Sequence, residues 1–386
     1  MASHSQRIER IARLVREPSI SRSSSQHDGS NRAVVAALAD MLDAAGFRVE
    51  ILPLPGAPEK QNLIATLGRG PGGLVLAGHT DTVPYDEALW QSDPFTLTAR
   101  DDKLYGLGAA DMKAFLALAV EAAEDADEGS LKAPLMIVAT ADEETTMDGA
   151  RALVGLDRPR GRHALIGEPT DMRPVRAHKG VMMEQLRLVG RSGHSSDPRL
   201  GRSALDGMAR VLQALLALRD ELAARHRNEA FALPTPTLNL GRIAGGDNAN
   251  RICGQCELDI DVRLLPGMDI EAVRRAIRER AEAAIEGLGL VLEPRSLELG
   301  TPAYEADATS ALLRAAEELT GVGAEAVAFA TEAPYLSALG NDTVVLGPGS
   351  IDQAHRPDEF VRADRLAPTV ALLKAMVHRL CKAPPS

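Results

Sequence analysis

Cysteine is scarce in this chain, with only Cys253, Cys256 and Cys381 among 386 residues. That excludes a disulfide-stapled scaffold, and an odd count fits a reducing compartment. Cys253-x-x-Cys256 has no second pair to complete a structural zinc site. It also falls in an apparent strand, Arg251–Leu264, where i and i+3 side chains face opposite sides, so ordinary thiols are expected. Aromatic residues make up only 3%, leaving Leu, Val, Ile and Ala to build the core. No apolar run approaches the roughly 20 residues of a membrane span, and the opening Met-Ala-Ser-His-Ser-Gln-Arg has no apolar signal-peptide core. Excess positive charge is missing too. The net charge of −11 argues against a nucleic-acid partner, which wants a basic face. What remains, at 45% hydrophobic, is a soluble cytoplasmic protein large enough for two domains.

Local patterning predicts amphipathic helices over 7–16 and 31–45, the second closed by Gly46. Short apolar strands follow at Arg48–Leu54, Asn62–Leu67 and Gly73–Ala77, then a helix from Met112 to about Asp125. Further strands are predicted at Pro134–Thr140 and Ala164–Gly167. Such alternation implies an α/β sheet with helices on both faces. The middle of the chain reads differently: strand Val181–Gly190, helix Ser203–His226, strands Thr237–Ile243 and Arg251–Leu264, helix Met268–Ile285 and strand Leu288–Leu292. This βαββαβ order is the ferredoxin-like unit. The expected division is therefore a catalytic domain over 1–178 and 290–386, interrupted by an inserted domain over 179–289. The α/β pattern resumes with helix Ser310–Leu319 and strand Thr343–Leu346. Ala177–Gly180 and Gly287–Pro294 are the expected hinges, and polar Ser23–Ser30 reads as a loop.

His79-Thr80-Asp81 closes the apolar run Gly73–Ala77, and Asp111, Glu143-Glu144, Glu168 and His355 follow in order. One imidazole at each end with carboxylates between suits a pair of divalent cations, with hard oxygens and borderline imidazoles favouring zinc, cobalt or manganese. Each residue alone has a plain reading: His79 in a turn, Asp111 as a helix cap, Glu143 and Glu144 as solvated acids. The set together reverses those readings. Asp81, two residues on, points to the side of His79 and is expected to fix its tautomer. Asp111 would bridge two ions, as in two-metal hydrolases. Glu144 is expected as a ligand and Glu143 as the general base that takes a proton from water and passes it to the leaving amine. Pro169 holds Glu168 extended. His194, in Ser192-Gly193-His194-Ser195-Ser196, could donate to a developing oxyanion. Gly106-Leu107-Gly108 resembles part of a dinucleotide loop without its third glycine, so a nucleotide-binding oxidoreductase is a weak alternative. A non-catalytic scaffold is another.

With those residues in place, the chain resembles the two-zinc exopeptidase and deacylase family over essentially its full length. The resemblance is carried by Ala77–Pro84, Leu104–Gly108, Ala141–Thr145, Gly167–Thr170, Ala177–Gly180, Ser192–Pro198 and Leu346–Glu359. It implies that His79, Asp111 and Glu168 hold one metal, and that Asp111, Glu144 and His355 hold the second. Asp81 and Glu143 match the family's catalytic carboxylates. His194 matches a histidine that reaches the neighbouring subunit's site in a homodimer of the inserted domains, and Asn250 and Arg263 match positions that hold a substrate carboxylate. Lys179 and Glu332 are taken with them as substrate-binding, Glu332 as the group that selects a substrate amine. The implied activity is hydrolysis of an N-acyl amino acid. Its narrowest form is removal of acetyl from N2-acetyl-L-ornithine in arginine synthesis, with a desuccinylase as the sister reading.

Overall fold

The computed structural model describes residues 3–22 and 28–382. The loop expected at Ser23–Ser30 falls, over 23–27, outside the described residues. The chain divides into two units: Met1–Arg176 with Ala306–Glu325 and Thr331–Ser386, and Ala177–Glu305 with Ala326–Ala330.

In the first unit the central strands are Leu135–Thr140, Leu74–His79, His163–Ile166 and Asp342–Val345, lying side by side in that order. All four run parallel. The hairpin Arg48–Leu54/Ala57–Leu67 extends the sheet through an antiparallel pairing with Leu135–Thr140. Leu74–His79 and Leu135–Thr140 are buried at every position, as parallel strands covered on both faces must be. Their sequences accordingly read as continuous apolar runs.

The helix Lys113–Ala123 is likewise buried at every residue. It is apolar nearly all round because it packs between the sheet and the helices His4–Val15 and Ala363–Val377. Arg7 adds a buried bidentate ion pair to Glu121, with Nε 2.8 Å and Nη2 2.6 Å from its carboxylate oxygens. Not legible in the sequence was a small sheet of Thr98–Arg100, Lys103–Tyr105 and Phe360–Arg362. Strands of three residues are too short to show a period.

The second unit has the expected βαββαβ order. Its antiparallel sheet runs Thr237–Gly245, Gln255–Leu264, Gly180–Val189, Val291–Thr301. Gly180–Val189 and Gln255–Leu264 alternate between buried and half-buried positions, the period-2 signature of a sheet covered on one face. The covering helices are Ala204–Arg225 and Ile270–Ala284.

Three expectations need correction. The strand predicted over Arg251–Leu264 is two strands, Arg251–Ile252 and Gln255–Leu264, broken at Cys253-Gly254. Cys253 and Cys256 therefore both turn into the same core instead of facing opposite sides, and both thiols are free. The last strand is Val291–Thr301, far longer than Leu288–Leu292. It is an edge strand carrying Glu293, Pro294, Arg295 and Glu298 with two register shifts, which erases its alternation. The main segment of the unit consequently runs to Glu305 and not to residue 289, and the expected hinge Gly287–Pro294 lies inside it. Among the described residues no helix is long and apolar enough to cross a membrane.

Two glycines set how closely the strand ends approach. A Cβ on Gly167 would sit 1.9 Å from Phe115 Cγ, and one on Gly347 would sit 2.1 Å from the Gly167 carbonyl oxygen. Gly347→Ala meets backbone that cannot step aside. We expect it to cost about 3 kcal/mol or more, the upper end of overpacking, read as a lowered urea midpoint at unchanged slope.

Candidate metal centre and its surrounding carboxylates

Because the central strands are parallel, their carboxyl ends share one edge, where reactive groups of such sheets collect. His79 ends one strand, Glu143 and Glu144 follow Thr140, and Glu168 follows Ile166. The loop after Val345 leads to His355. Register places His79 opposite Thr140 and Ala77 opposite Ile166. Asp111 arrives from the loop before helix Lys113–Ala123. All of these residues belong to the first unit.

His79 Nε2 lies 3.1 Å from Asp111 Oδ1 and 3.9 Å from Glu168 Oε2. His355 Nε2 lies 2.9 Å from Glu144 Oε2 and 3.8 Å from Asp111 Oδ2. Asp111 thus turns one oxygen toward each imidazole. His79, Glu143 and Glu168 offer ligand atoms within 4.8 Å of one another, and so do His79, Asp111 and Glu144. His355 takes a left-handed backbone, φ 60°, a cost that functional loops commonly carry.

Electrostatics make this cluster unsatisfied by protein groups alone. Burial, then the charge of Glu168, raises Glu143 well above the ordinary carboxylate value. Burial also raises Glu168 well above it, with His79 opposing and Asp111 adding to the rise. Glu144 is raised by burial and by Asp111. Burial pushes Asp111 up, but the His79 hydrogen bond and both imidazole charges outweigh it and bring it down. Burial pulls His79 down, yet the Asp111 hydrogen bond and the surrounding acids carry it well above the imidazole norm. Glu168 Oε1 is buried without a hydrogen-bond partner. Buried like charges at such spacing call for cations.

The donor set fits divalent metal. His79 Nδ1 lies 2.9 Å from the Asp81 carbonyl oxygen, which can only accept, so Nδ1 carries a proton and Nε2, facing Asp111, is the nitrogen that would take a cation once it has given up its own proton. This corrects the expected role of Asp81. Its main-chain carbonyl orients His79, while the carboxylate oxygen is 3.6 Å from Nδ1. That carboxylate instead accepts the backbone N–H of Glu143 at 3.2 Å and of Glu144 at 3.1 Å.

Glu359, to which the sequence reading assigned no role, accepts the N–H groups of Gly108, Ala110 and Asp111 at 2.9, 2.7 and 3.0 Å. The Gly106–Asp111 amides are thus all taken internally, three by this carboxylate and the others by the Glu359, Pro94 and Gly106 carbonyls, and none faces outward for a phosphate, which removes the basis of the nucleotide alternative. The available signal was position, since Glu359 lies four residues past His355.

Glu332 belongs to the first unit and is 1% exposed. Neither oxygen has a partner at hydrogen-bond distance, although the nearby Thr140 hydroxyl partly offsets a burial that raises Glu332 to about 7. It adds to the negative charge on Glu143 and Glu168. It is enclosed beside these acids, as His79 is.

The other expected residues lie in the second unit. Exposed His194 pairs in register with Arg251, and the Asn250 carbonyl accepts the Ser195 N–H, so His194 and Asn250 are neighbours. The Ser196 N–H donates to His194 Nδ1 at 3.2 Å. Its proton is therefore on Nε2, free to donate. Lys179 is 2% exposed and gives its ammonium to the Thr235 carbonyl at 2.7 Å. Arg263, close enough to lower Lys179 after burial has done so, donates to Asp261 at 3.0 Å.

Residues 75–379 match the Peptidase family M20/M25/M40. The chain belongs to this family. As an M20-family protein it is 46% identical to the acetylornithine deacetylase of Photorhabdus laumondii subsp. laumondii over 374 residues, 97% of each chain. It is 44% identical to that of Pasteurella multocida over 97% of this chain and 98% of the other. The fold is shared with an M20 family metallo-carboxypeptidase from Sulfolobus solfataricus (TM-score 0.77, 16% identity, 96% and 98% covered). It is shared also with a dinuclear metal binding peptidase of the M20 family from Bacillus subtilis (TM-score 0.68, 17% identity, 98% of each chain).

Metal-stripped protein titrated calorimetrically with Zn2+ or Co2+ is expected to take up two ions. Asp111→Ala should lose tight binding of both, and parent affinity in that variant would break the shared-carboxylate assignment. Glu144, Glu168 and His79 all hold protons above their ordinary values and must lose them to ligate. Uptake should therefore release protons and weaken as pH falls, measurable from heats in buffers of different ionisation enthalpy.

Proposed function

We propose that this M20-family chain is a metal-dependent amidohydrolase that converts N2-acetyl-L-ornithine and water to L-ornithine and acetate. The observation that carries the reading is the cluster of His79, Asp111, Glu144 and Glu168 with the exposed His355 closing it through Glu144. It occurs in a chain 44–46% identical to three acetylornithine deacetylases over 97% of its length. His79, Asp111 and Glu168 would hold one cation and Asp111, Glu144 and His355 the other. Zinc is our first assignment, with cobalt or manganese compatible with the same donors. When bound, such ions supply Lewis acidity that polarises a carbonyl and makes a water easier to deprotonate.

Glu143 is the general base. Its raised proton affinity suits a group that removes a proton from the attacking water and returns it to the leaving nitrogen. The new C–O bond forms first, leaving the negative charge on the former carbonyl oxygen; as the carbonyl re-forms the C–N bond breaks, and the proton that Glu143 held ends on the free amine. The Asp81 carboxylate serves by holding the Glu143 and Glu144 amides in place. His194, with Nε2–H free, is proposed to donate to the oxyanion from the partner subunit of a homodimer formed through the second units. Asn250 and Arg263 are proposed for the substrate carboxylate and Lys179 for their support. Three free thiols support a reducing, cytoplasmic setting.

Glu143→Gln should retain metal while losing about 10²–10⁴-fold in kcat; near-parent turnover would remove the base assignment. Among N-acyl amino acids assayed by amine release, acetylornithine should rank first, and a succinylated substrate ranking first would move the reading to a desuccinylase. His194→Ala should lower kcat without changing sedimentation, whereas a fully active monomer would remove any role in trans.

A further inference from the structure

The turn that presents Glu143 and Glu144 rests on a buried polar chain that leads away from the candidate metal centre. Ser21 is fully buried, and its Oγ lies 2.8 Å from Asp81 Oδ2 and 2.9 Å from Asp142 Oδ1. Lys60, 3% exposed, donates to the same Asp142 oxygen at 2.5 Å and to Asp28 at 2.7 Å. Asp142 stands in the left-handed region, φ 56°, and its carbonyl accepts the N–H of Thr146 at 3.1 Å and of Met147 at 2.7 Å. It therefore closes the turn that carries both glutamates. Ser21 is itself fixed, its N–H donating to the Thr82 carbonyl at 2.9 Å.

Two carboxylates that share one hydroxyl proton repel each other unless a cation stands by. Burial pulls the Lys60 ammonium down, but its bonds to Asp142 and Asp28 outweigh this and raise it. The lysine thus remains charged and neutralises the far end of the chain. At the near end, the Asp81 oxygen that Ser21 touches is the one that accepts the Glu144 amide.

We infer that Ser21 is a positioning residue for the general base: its hydroxyl locks the Asp81 carboxylate onto the Glu143–Glu144 peptide, with Lys60 as counter-charge through Asp142. The inference rests on the deacylase reading only for its catalytic consequence. Without the hydroxyl, Asp81 can rotate, the two amides lose a fixed acceptor, and Glu143 no longer sits in one place relative to its proton donor. Errors of this size in a base cost rate and leave ground-state binding alone.

The test uses the full-length protein and the variants Ser21→Ala and Lys60→Met, with two readouts. In metal-free protein, hydrogen exchange should rise about tenfold or more at the Glu143 and Glu144 amides in both variants, while Leu135–Thr140 keeps its parent protection. In metal-loaded protein, kcat for acetylornithine should fall about 10- to 100-fold, with KM within about twofold and Tm nearly unchanged for Ser21→Ala. Parent exchange at those two amides, or parent kcat in an active enzyme, overturns the inference. A general loss of protection across the strand also overturns it, because Ser21 would then be a packing residue. If the parent protein itself fails to deacylate any N-acyl amino acid, the functional reading falls and the exchange result still decides this one.

Discussion

Negative charge packed where water is scarce is the constraint on which this structure depends. Asp111, Glu143, Glu144 and Glu168 crowd around His79, with Glu332 enclosed nearby. Such a group of acids would repel itself apart unless the surrounding fold over-determined it. The parallel strands do so by ending at one edge, where hydrogen-bonded register leaves little freedom. The carboxylates are held in advance of any cation, so binding need not order them.

Around that cluster three of the loops that carry candidate ligands are tied by groups outside the candidate ligand set. Asp81 holds the Glu143–Glu144 amides, Glu359 holds the amides leading into Asp111, and Gly347 lies against Gly167 beside Glu168. These supports share one principle. A carboxylate or a close backbone contact engages main-chain atoms, and the side chain on that main chain is thereby aimed.

Much of the site was readable from residue order. His79, Asp111, Glu144, Glu168 and His355 each follow an apolar strand or precede a helix, and donor type alone narrowed the partner to divalent cations. The inserted ferredoxin-like unit was readable too, because Gly180–Val189 and Gln255–Leu264 carry a clean period of two. Its far boundary was not, since Val291–Thr301 is an edge strand whose exposed charges hide the period. The break at Cys253-Gly254 was missed for a related reason: apolar residues on both sides of it continue the pattern.

Sequence by itself determined which atoms are available: the imidazoles, the acids between them, and the alternation that makes an α/β sheet. Tertiary structure alone decided which atom does what. Whether the carbonyl or the carboxylate of Asp81 orients His79 depends on backbone and side-chain geometry that the fold imposes. So does the link from Ser21 to Asp81 across 60 positions. Local pattern encodes the environment a residue prefers. It does not encode the long-range partner that satisfies its hydrogen bonds.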